Sequence, residues 1–446
     1  MEYPDTKLTR PVRTGILIAF IALFFIIAPL IIMYTQGYRY DWKNGQRREI
    51  GAVSIDVEPT DAVANLGGVD IKTGMPIRLK NITPRKYHLR LSSPEYFDWD
   101  KDIEVLNKQT VYIKEIGLIK KNNPELIASL PATEISLSSD GSLLAFVSGQ
   151  SVKLLNIQNG QLTDIFFSKK NESLKISWGP DSHWLLIAGP TAPFTRAIAI
   201  NADESDKKID LTTIDNDINK LQWNQSGGTQ LVYSTTAKIK SLDLGTGNIT
   251  LIGKNIYLDW YMENSSLWTV QISTNTKKIK IIQDTLGFAS ELSIVNSEIL
   301  PDDHKQLTLA MGKNNHALLR SIGQPLMFLV SPVGTYKIAA ENFTVSPYNN
   351  WWLFWTPWEL TAFSENAQPI LLNRSGEGLK QVLPLDNHNT LALIWNAKTT
   401  ALFPYYSVTH DLINYAVDSA ATDSVNHILY FGGKIDDKQG LWKLEY

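Results

Sequence analysis

Leu137-Ser138-Ser139-Asp140-Gly141 and Trp178-Gly179-Pro180-Asp181-Ser182 stand 41 residues apart and read alike. Each is an apolar landmark, then a polar turn, then an apolar strand about six residues past the landmark, LLAFV in the first copy and WLLIA in the second. The unit recurs to the end of the chain. Its landmarks are Leu137, Trp178, Trp223, Trp260, Leu300, Val345, Leu385 and Ala421, at spacings of 41, 45, 37, 40, 45, 40 and 36. The later strands are LVY, LWTV, LTLAM, WWLFW, LALIW and HILYF. A period near 40 with several short strands per unit is the pattern of a β-propeller in which each unit is one blade. No unit sustains a 3.6-residue apolar period, so a helical solenoid fits badly.

Eight landmarks imply eight blades over residues 125–446, with seven as the alternative because Ala421 is the weakest landmark. A ring of blades must join its ends or leave strand edges bare. The final unit supplies strands near Ala416, at HILYF and at GLWKLEY, one short of a full blade. Leu126–Leu130, just ahead of the first landmark, is placed to complete it. The two best turns resemble the Trp-x-Pro-Asp-Gly turn of TolB-type and WD40-like propeller repeats.

Residues 51–118 hold a second all-β module. Short strands with period-two alternation run through AVSIDVEP, MPIRLKNI, YHLRLSS, DIEVLN and TVYIKEI, with a turn at Asn65, Gly67 and Gly68. Five or six strands in this length predict a small β-sandwich. Glu58-Pro59-Thr60-Asp61-Ala62, Gly67-Gly68, Thr73-Gly74-Met75-Pro76-Ile77 and Tyr96 resemble the PEGA domain, a small module of the bacterial envelope. Asp61 stands where that family usually has Gly, and Met75 where it often has Thr; Asp adopts the turn conformations that Gly favours. The run YTQGYRYDWKNG is similar to the linker of membrane-anchored members. The resemblance implies an extracytoplasmic spacer or adhesion-like module, not an activity.

Gly15 to Met33, GILIAFIALFFIIAPLIIM, is uncharged and lies in a charge-free interval between Arg13 and Arg39. At about 1.5 Å per residue it spans about 28 Å, close to the ~30 Å hydrocarbon core of a bilayer. A transmembrane helix over 15–36 follows, with a tail at 1–14 and a juxtamembrane linker at 37–50. Pro29 is tolerated in a membrane helix. Tyr34, Tyr38, Tyr40 and Trp42 supply an interfacial aromatic belt. A cleaved signal peptide fits worse, because its apolar core is shorter and ends in a small-residue cleavage site. Lys7, Arg10 and Arg13 nearly balance Arg39, Lys43, Arg47 and Arg48. The short leading tail and the strand-rich modules favour a signal anchor with a cytoplasmic N-terminus and extracytoplasmic C-terminal domains.

The 446 residues carry a net charge of −3 with no long basic run, which argues against nucleic acid as a partner. There is no cysteine, so disulfides, thiolate metal sites and cysteine nucleophiles are excluded. Catalytic, cofactor and metal signatures are likewise missing. Gly149-Gln150-Ser151-Val152-Lys153 lacks the final Gly of a nucleophile elbow. Gly245-Thr246-Gly247-Asn248 is a hairpin turn with no helix after it. Asn201-Ala202-Asp203-Glu204-Ser205-Asp206 lacks calcium-loop spacing, and Asp302-Asp303-His304 reads as a polar turn. Asn81, Asn171, Asn248 and Asn342 begin glycosylation triplets of a kind common by chance.

Trp351, Trp352, Trp355 and Trp358 put four of 13 tryptophans in eight residues. In a strand, Trp351, Leu353 and Trp355 face one side and Trp352 and Phe354 the other. Packing between blades is the expected role, and a platform for sugar rings or a peptide is the functional one. Taken together, these features point to a non-enzymatic, membrane-anchored binding or scaffolding protein of the cell envelope that recognises protein or polysaccharide. An envelope glycan hydrolase or lyase is the first alternative. It needs carboxylates about 5–10 Å apart at the channel mouth, with Glu134, Asp259 and Glu298 as candidates. A structural, self-associating surface-layer component is the second.

Overall fold

The computed structural model describes residues 10–35, 38–41, 46–71, 74–168, 172–226, 228–254, 257–272, 278–285, 287–292, 294, 300–301, 306–364 and 368–446. The chain divides into two units, Met1–Lys121 and Asn122–Tyr446.

In the first unit, α1 (Arg10–Thr35) is the one helix among the described residues long and apolar enough to cross a membrane. Phe20, Phe24 and Phe25 are exposed along it, and none of its span is buried in the protein. It begins ahead of the apolar run, with Pro11 in the first turn, where a missing N–H costs nothing. A hairpin follows, β1 (Tyr38–Asp41) with β2 (Gln46–Glu49). Lys7, Trp42 and Lys43 lie outside the described residues.

Seven strands then form the two sheets of the small β-module: β3 (Gly51–Glu58), β4 (Val63–Leu66), β5 (Val69–Ile71), β6 (Ile77–Ile82), β7 (Arg85–Ser92), β8 (Trp99–Val105) and β9 (Thr110–Gly117). One sheet runs β5-β4-β7-β8 and the other β6-β3-β9, with β3 and β9 parallel. Alternation along β3 buries Val53, Ile55 and Val57, and Leu89, Leu91 and Trp99 are buried from the other sheet. Gly67 and Gly68 take φ of 60° and 90° in the β4-β5 turn, which Asn65 closes by accepting from the Gly68 N–H at 3.0 Å.

The second unit is a ring of eight four-stranded antiparallel sheets among the described residues. Blade 1 is β11–β14 (Thr133–Leu137, Leu143–Ser148, Ser151–Asn156, Leu162–Phe167) and blade 2 is β15–β18 (Lys175–Trp178, Trp184–Ala188, Ala197–Asn201, Lys208–Asp210), trailed by the one-turn α2 (Leu211–Ile214). Blade 3 is β19–β22 (Lys220–Trp223, Gln230–Ser234, Lys238–Asp243, Ile249–Lys254) and blade 4 is β23–β26 (Asp259–Glu263, Ser266–Ile272, Ile279–Thr285, Phe288–Leu292). Blade 5 is β27–β30 (Leu307–Lys313, His316–Ser321, Leu326–Ser331, Gly334–Ala339) and blade 6 is β31–β34 (Asn342–Val345, Trp352–Trp355, Glu359–Phe363, Ile370–Arg374). Blade 7 is β35–β38 (Leu379–Pro384, Leu391–Trp395, Thr399–Phe403, Val408–Ile413). Blade 8 joins β39–β41 (Val417–Asp423, Ile428–Ile435, Lys438–Glu445) to β10 (Glu125–Ala128), in the order β10-β41-β40-β39. The eight-blade reading therefore holds, and the segment ahead of the first landmark closes the ring.

First strands of neighbouring blades touch, β39 with β11, β11 with β15, β19 with β23 and β23 with β27, so they line the axis. Second and third strands supply apolar layers between blades. Leu185 and Ile187 of blade 2 meet Ala145 and Val152 of blade 1, while Trp184 and Leu186 meet Leu231 and Tyr233 of blade 3. Because every blade is antiparallel, its 1–2 and 3–4 connections lie at one end, here the turn face. The 2–3 and blade-to-blade connections lie at the other.

One landmark is out of phase. Leu300 lies in the connection ahead of β27, and LTLAM is the first strand of blade 5, not its second. The end of β27 presents Gly312, whose absent side chain is replaced by the buried Trp268 ring of blade 4; a Cβ there would lie 2.4 Å from that ring.

The Asp140 turn is closed by its own side chain, which accepts from the Ser138 hydroxyl (2.6 Å), the Ser142 hydroxyl (2.8 Å) and the Ser142 N–H (3.1 Å). Partial burial opposes the charge, but these donors outweigh it and hold the carboxyl down at about 2. A pKa lowered on folding stabilises above the unfolded value of 3.8 and ceases to as pH falls through about 2. Asp140→Ala should cost about 1 kcal/mol at neutral pH, as the group is largely solvated. The difference should shrink between pH 4 and 2 in denaturant titrations.

Candidate binding face

Strand β32 divides the tryptophan run by its pleat. Leu353 and Trp355 pack toward blade 7 against Leu379, Leu391 and Leu393, while Trp352 and Phe354 pack toward blade 5 against Leu318, Met327 and Leu329. Trp352 is 2% and Trp355 6% exposed, which removes both from any ligand platform. Trp358, exposed, sits in the 2–3 connection of blade 6, on the face opposite Trp351. The four tryptophans therefore share no surface. A strand alternates, and β32 is held between two blades.

Trp351 instead belongs to a different aromatic group. It is half-buried at the end of the 1–2 loop of blade 6, its ring centroid 5.1 Å from that of Tyr405 at 63°. Tyr405 lies in the 3–4 turn of blade 7 and is 49% exposed. In the same blade 6 loop, Tyr348 is 40% exposed and reaches blade 8, its hydroxyl 2.5 Å from Ser424 Oγ. Three neighbouring blades thus contribute to one patch on the turn face.

The patch rests on a tightly bonded floor. Asp386 accepts from the His388 and Thr390 N–H groups at 2.9 Å each, and Asp423 from the Val425 and Asn426 N–H groups. The buried Tyr446 phenol donates to Leu385 O; burial and the carboxylates of Asp386 and Asp423 push its pKa upward. The contributing loops, 346–351, 385–390, 404–407 and 424–427, contain no Lys, Arg or Glu, and their single Asp is the buried Asp386. The same loops carry Asn349, Asn350, Asn387 and Asn426.

The axis shows different chemistry. Glu134 pairs with Lys175 of the next blade. Asp259 bonds Lys220 Nζ at 2.9 Å and accepts from the Trp260 and Leu309 N–H groups. Lys220 also donates to Trp260 O and Leu309 O, so it clips blades 3, 4 and 5 together. Burial pulls the ammonium's pKa down, against the opposing pull of Asp259. Each described carboxylate candidate therefore pairs with a lysine of a neighbouring blade. Glu298 and Asp302-Asp303-His304 lie outside the described residues. Among the described residues no three His, Asp or Glu groups gather as metal ligands. Asn201 closes an ordinary turn onto the Asp203 and Glu204 N–H groups, and Asp243 does the same for the turn at Gly245 and Thr246.

One repeat signal escaped the sequence reading. A buried polar group stands at the end of the first strand or within two residues past it in five blades, Ser138, Asn224, Ser346, Asp386 and Asp423. In blade 2 the place is taken by Gly179, where a Cβ would lie 3.2 Å from Trp223. This position ties the 1–2 turn, and it would have fixed the phase of blades 7 and 8 better than their apolar landmarks.

No family model matches the chain, and no curated protein matches it in sequence. Solved structures similar in architecture include the N-terminal domain of Nup159 (12% identity, 71% of this chain and 90% of that chain, TM-score 0.37). The β-propeller domain of Myceliophteria thermophila Cps50 (Swd1) is another (9%, 73% and 99%, TM-score 0.44). So is virginiamycin B lyase from Staphylococcus aureus (11%, 71% and 96%, TM-score 0.36). These likenesses concern fold alone, since propellers of one architecture serve unrelated functions.

Proposed function

We propose that this chain is a membrane-tethered, non-catalytic recognition protein: α1 anchors it, the small PEGA-like β-module spaces it, and the propeller binds an envelope component. The N-terminus is cytoplasmic and the propeller extracytoplasmic. The observation that carries the reading is the uncovered aromatic patch of Tyr348, Trp351 and Tyr405 on a face otherwise closed by hydrogen-bonded turns. A rigid ring that displays aromatic loop residues from two blades, tied to a third through Ser424, is a binding architecture. The fully exposed apolar α1 supports the tether, since water would not tolerate so long an uncovered stripe.

Cells carrying the chain with a tag at each end provide the test. Protease shaving should remove the C-terminal tag and spare the N-terminal one; retention of both after every outer layer is opened would place the propeller in the cytoplasm and overturn the reading. In the same cells, Phe24→Arg should shift the chain toward the soluble fraction, at a cost of about 2.5–3.5 kcal/mol at the helix centre. The tagged chain should also show a slowly diffusing population that Tyr348→Ala/Tyr405→Ala releases. Equal mobility of variant and wild type would count against recognition at this face.

A further inference from the structure

We infer that the turn-face patch of blades 6–8 binds an uncharged glycan, with sugar rings laid on Tyr348, Trp351 and Tyr405. The inference rests on the recognition role given above and names its ligand class.

Three observations converge on that class. Half-exposed rings from separate loops, two of them inclined at 63°, offer flat apolar surface to the C–H faces of pyranoses while their edges stay wet. The loops that carry them hold side-chain amides and no Lys, Arg, Glu or exposed Asp. Amides donate and accept in one plane, which suits vicinal hydroxyls, whereas sulfate, phosphate or uronate would call for Arg or Lys. Charge is plentiful elsewhere on the ring, as at Lys153–Asp164 and Lys398–Asp411, and on the turn face at Asp140 and Glu445, so the neutrality belongs to these loops and not to the fold.

The third observation is unmet hydrogen bonding in the same loops. Asn349 Oδ1 accepts from the Trp351 N–H at 3.0 Å, but its Nδ2 has no partner. Asn389 Oδ1 and Thr390 Oγ1, in residues 8% and 1% exposed, likewise have none. Buried polar groups are normally satisfied, and water relaying from sugar hydroxyls would satisfy these. A protein partner would instead favour a contiguous apolar core larger than three ring faces.

Affinity electrophoresis of the full chain in nanodiscs tests this, with soluble neutral glucans, mannans, galactomannans and chitin oligomers in the gel and heparin and alginate as charged counterparts. At least one neutral polymer should retard the chain. Tyr405→Ala and Tyr348→Ala should each weaken that retardation by about tenfold or more, while Tyr405→Phe retains it and circular dichroism is unchanged. Trp351→Ala should act in the same direction; because that ring is half-buried, the two exposed tyrosines decide the outcome. No retardation by any neutral polymer would overturn the glycan assignment, and the mobility measurement above would still report on recognition separately. Retardation indifferent to both tyrosines, or seen only with charged polymers, would overturn it too, as would an apolar peptide held by those tyrosines in place of any glycan.

Discussion

Deleting residues 125–131 lowers the melting temperature of the propeller by roughly 10 °C or more in the full chain. Strand β10 pairs with the last strand through Glu125↔Lys443, Leu126↔Trp442 and Ala128↔Leu441. Its removal forfeits a short ladder at about 0.5–1.5 kcal/mol per hydrogen bond and the half-burial of Leu126 and Ile127, about 1 kcal/mol each. It also bares the edge of β41 and opens the layer where Ala132, Phe146, Tyr430 and Leu441 meet. The total, on the order of 5 kcal/mol, is comparable with the whole stability of many domains. Differential scanning calorimetry checks it, and a synthetic peptide of residues 122–131 should restore part of the loss. A melting curve unchanged by the deletion would show that the ring is held by its seven other blades.

Gly432→Ala should be nearly as damaging, although it adds a single methyl. A Cβ at Gly432 would lie 1.8 Å from the carbonyl oxygen of Ala132 and 2.8 Å from its carbon. Both are backbone atoms, so no side-chain rotation relieves the clash; the linker from β10 to β11 must move off β40. At Gly433 a Cβ would lie 2.8 Å from Ala416 O, where the chain enters the same blade, and at Gly440 it would collide with Leu126 and Ala128 O. Blade 8 thus keeps three glycines where adjoining backbone and its closing strand come closest. The expected cost is about 3 kcal/mol or more, at the upper end for overpacking. Gly253→Ala and Gly376→Ala, with nothing within 4 Å of the added carbon and no left-handed φ, should stay within about 0.5 kcal/mol. Equal losses at Gly432 and Gly376 in urea titrations would refute the steric account.

The ring was legible first at blades 2 and 3, where the landmark ties its blade to the one before. Trp178 donates its indole N–H to Ser136 O of the previous blade at 3.0 Å, and Trp223 does so to Ser177 O at 3.3 Å. Such a contact needs one residue type at one place, and that leaves a period. Blade 5 broke the pattern because Trp268 comes to Gly312 from the neighbouring blade, so no large residue marks the first strand there. The closing strand was legible from counting strands.

The candidate site was less so. Trp351, Trp352, Trp355 and Trp358 form a conspicuous cluster in sequence, yet three-quarters of that prominence reflects packing or the opposite face. Tyr348, Ser424 and Tyr405 come together from loops of three blades, and proximity across blades has no counterpart in the order of residues. The small β-module was read as five or six strands where the structure has seven; β5, three residues long, is too short to declare itself by alternation.

Ring closure by β10 also decides how the protein bears load. The chain leaves the first unit at Lys121 and enters the propeller at Asn122, three residues before β10. Tension between a held propeller and the N-terminal end of the chain is therefore delivered to the strand that closes the ring, starting at Glu125 and its exposed pairing with Lys443. The antiparallel bonds of β10 to β41 would be met one after another from that end. The seam of the ring is thus the first part of the propeller that such tension would reach.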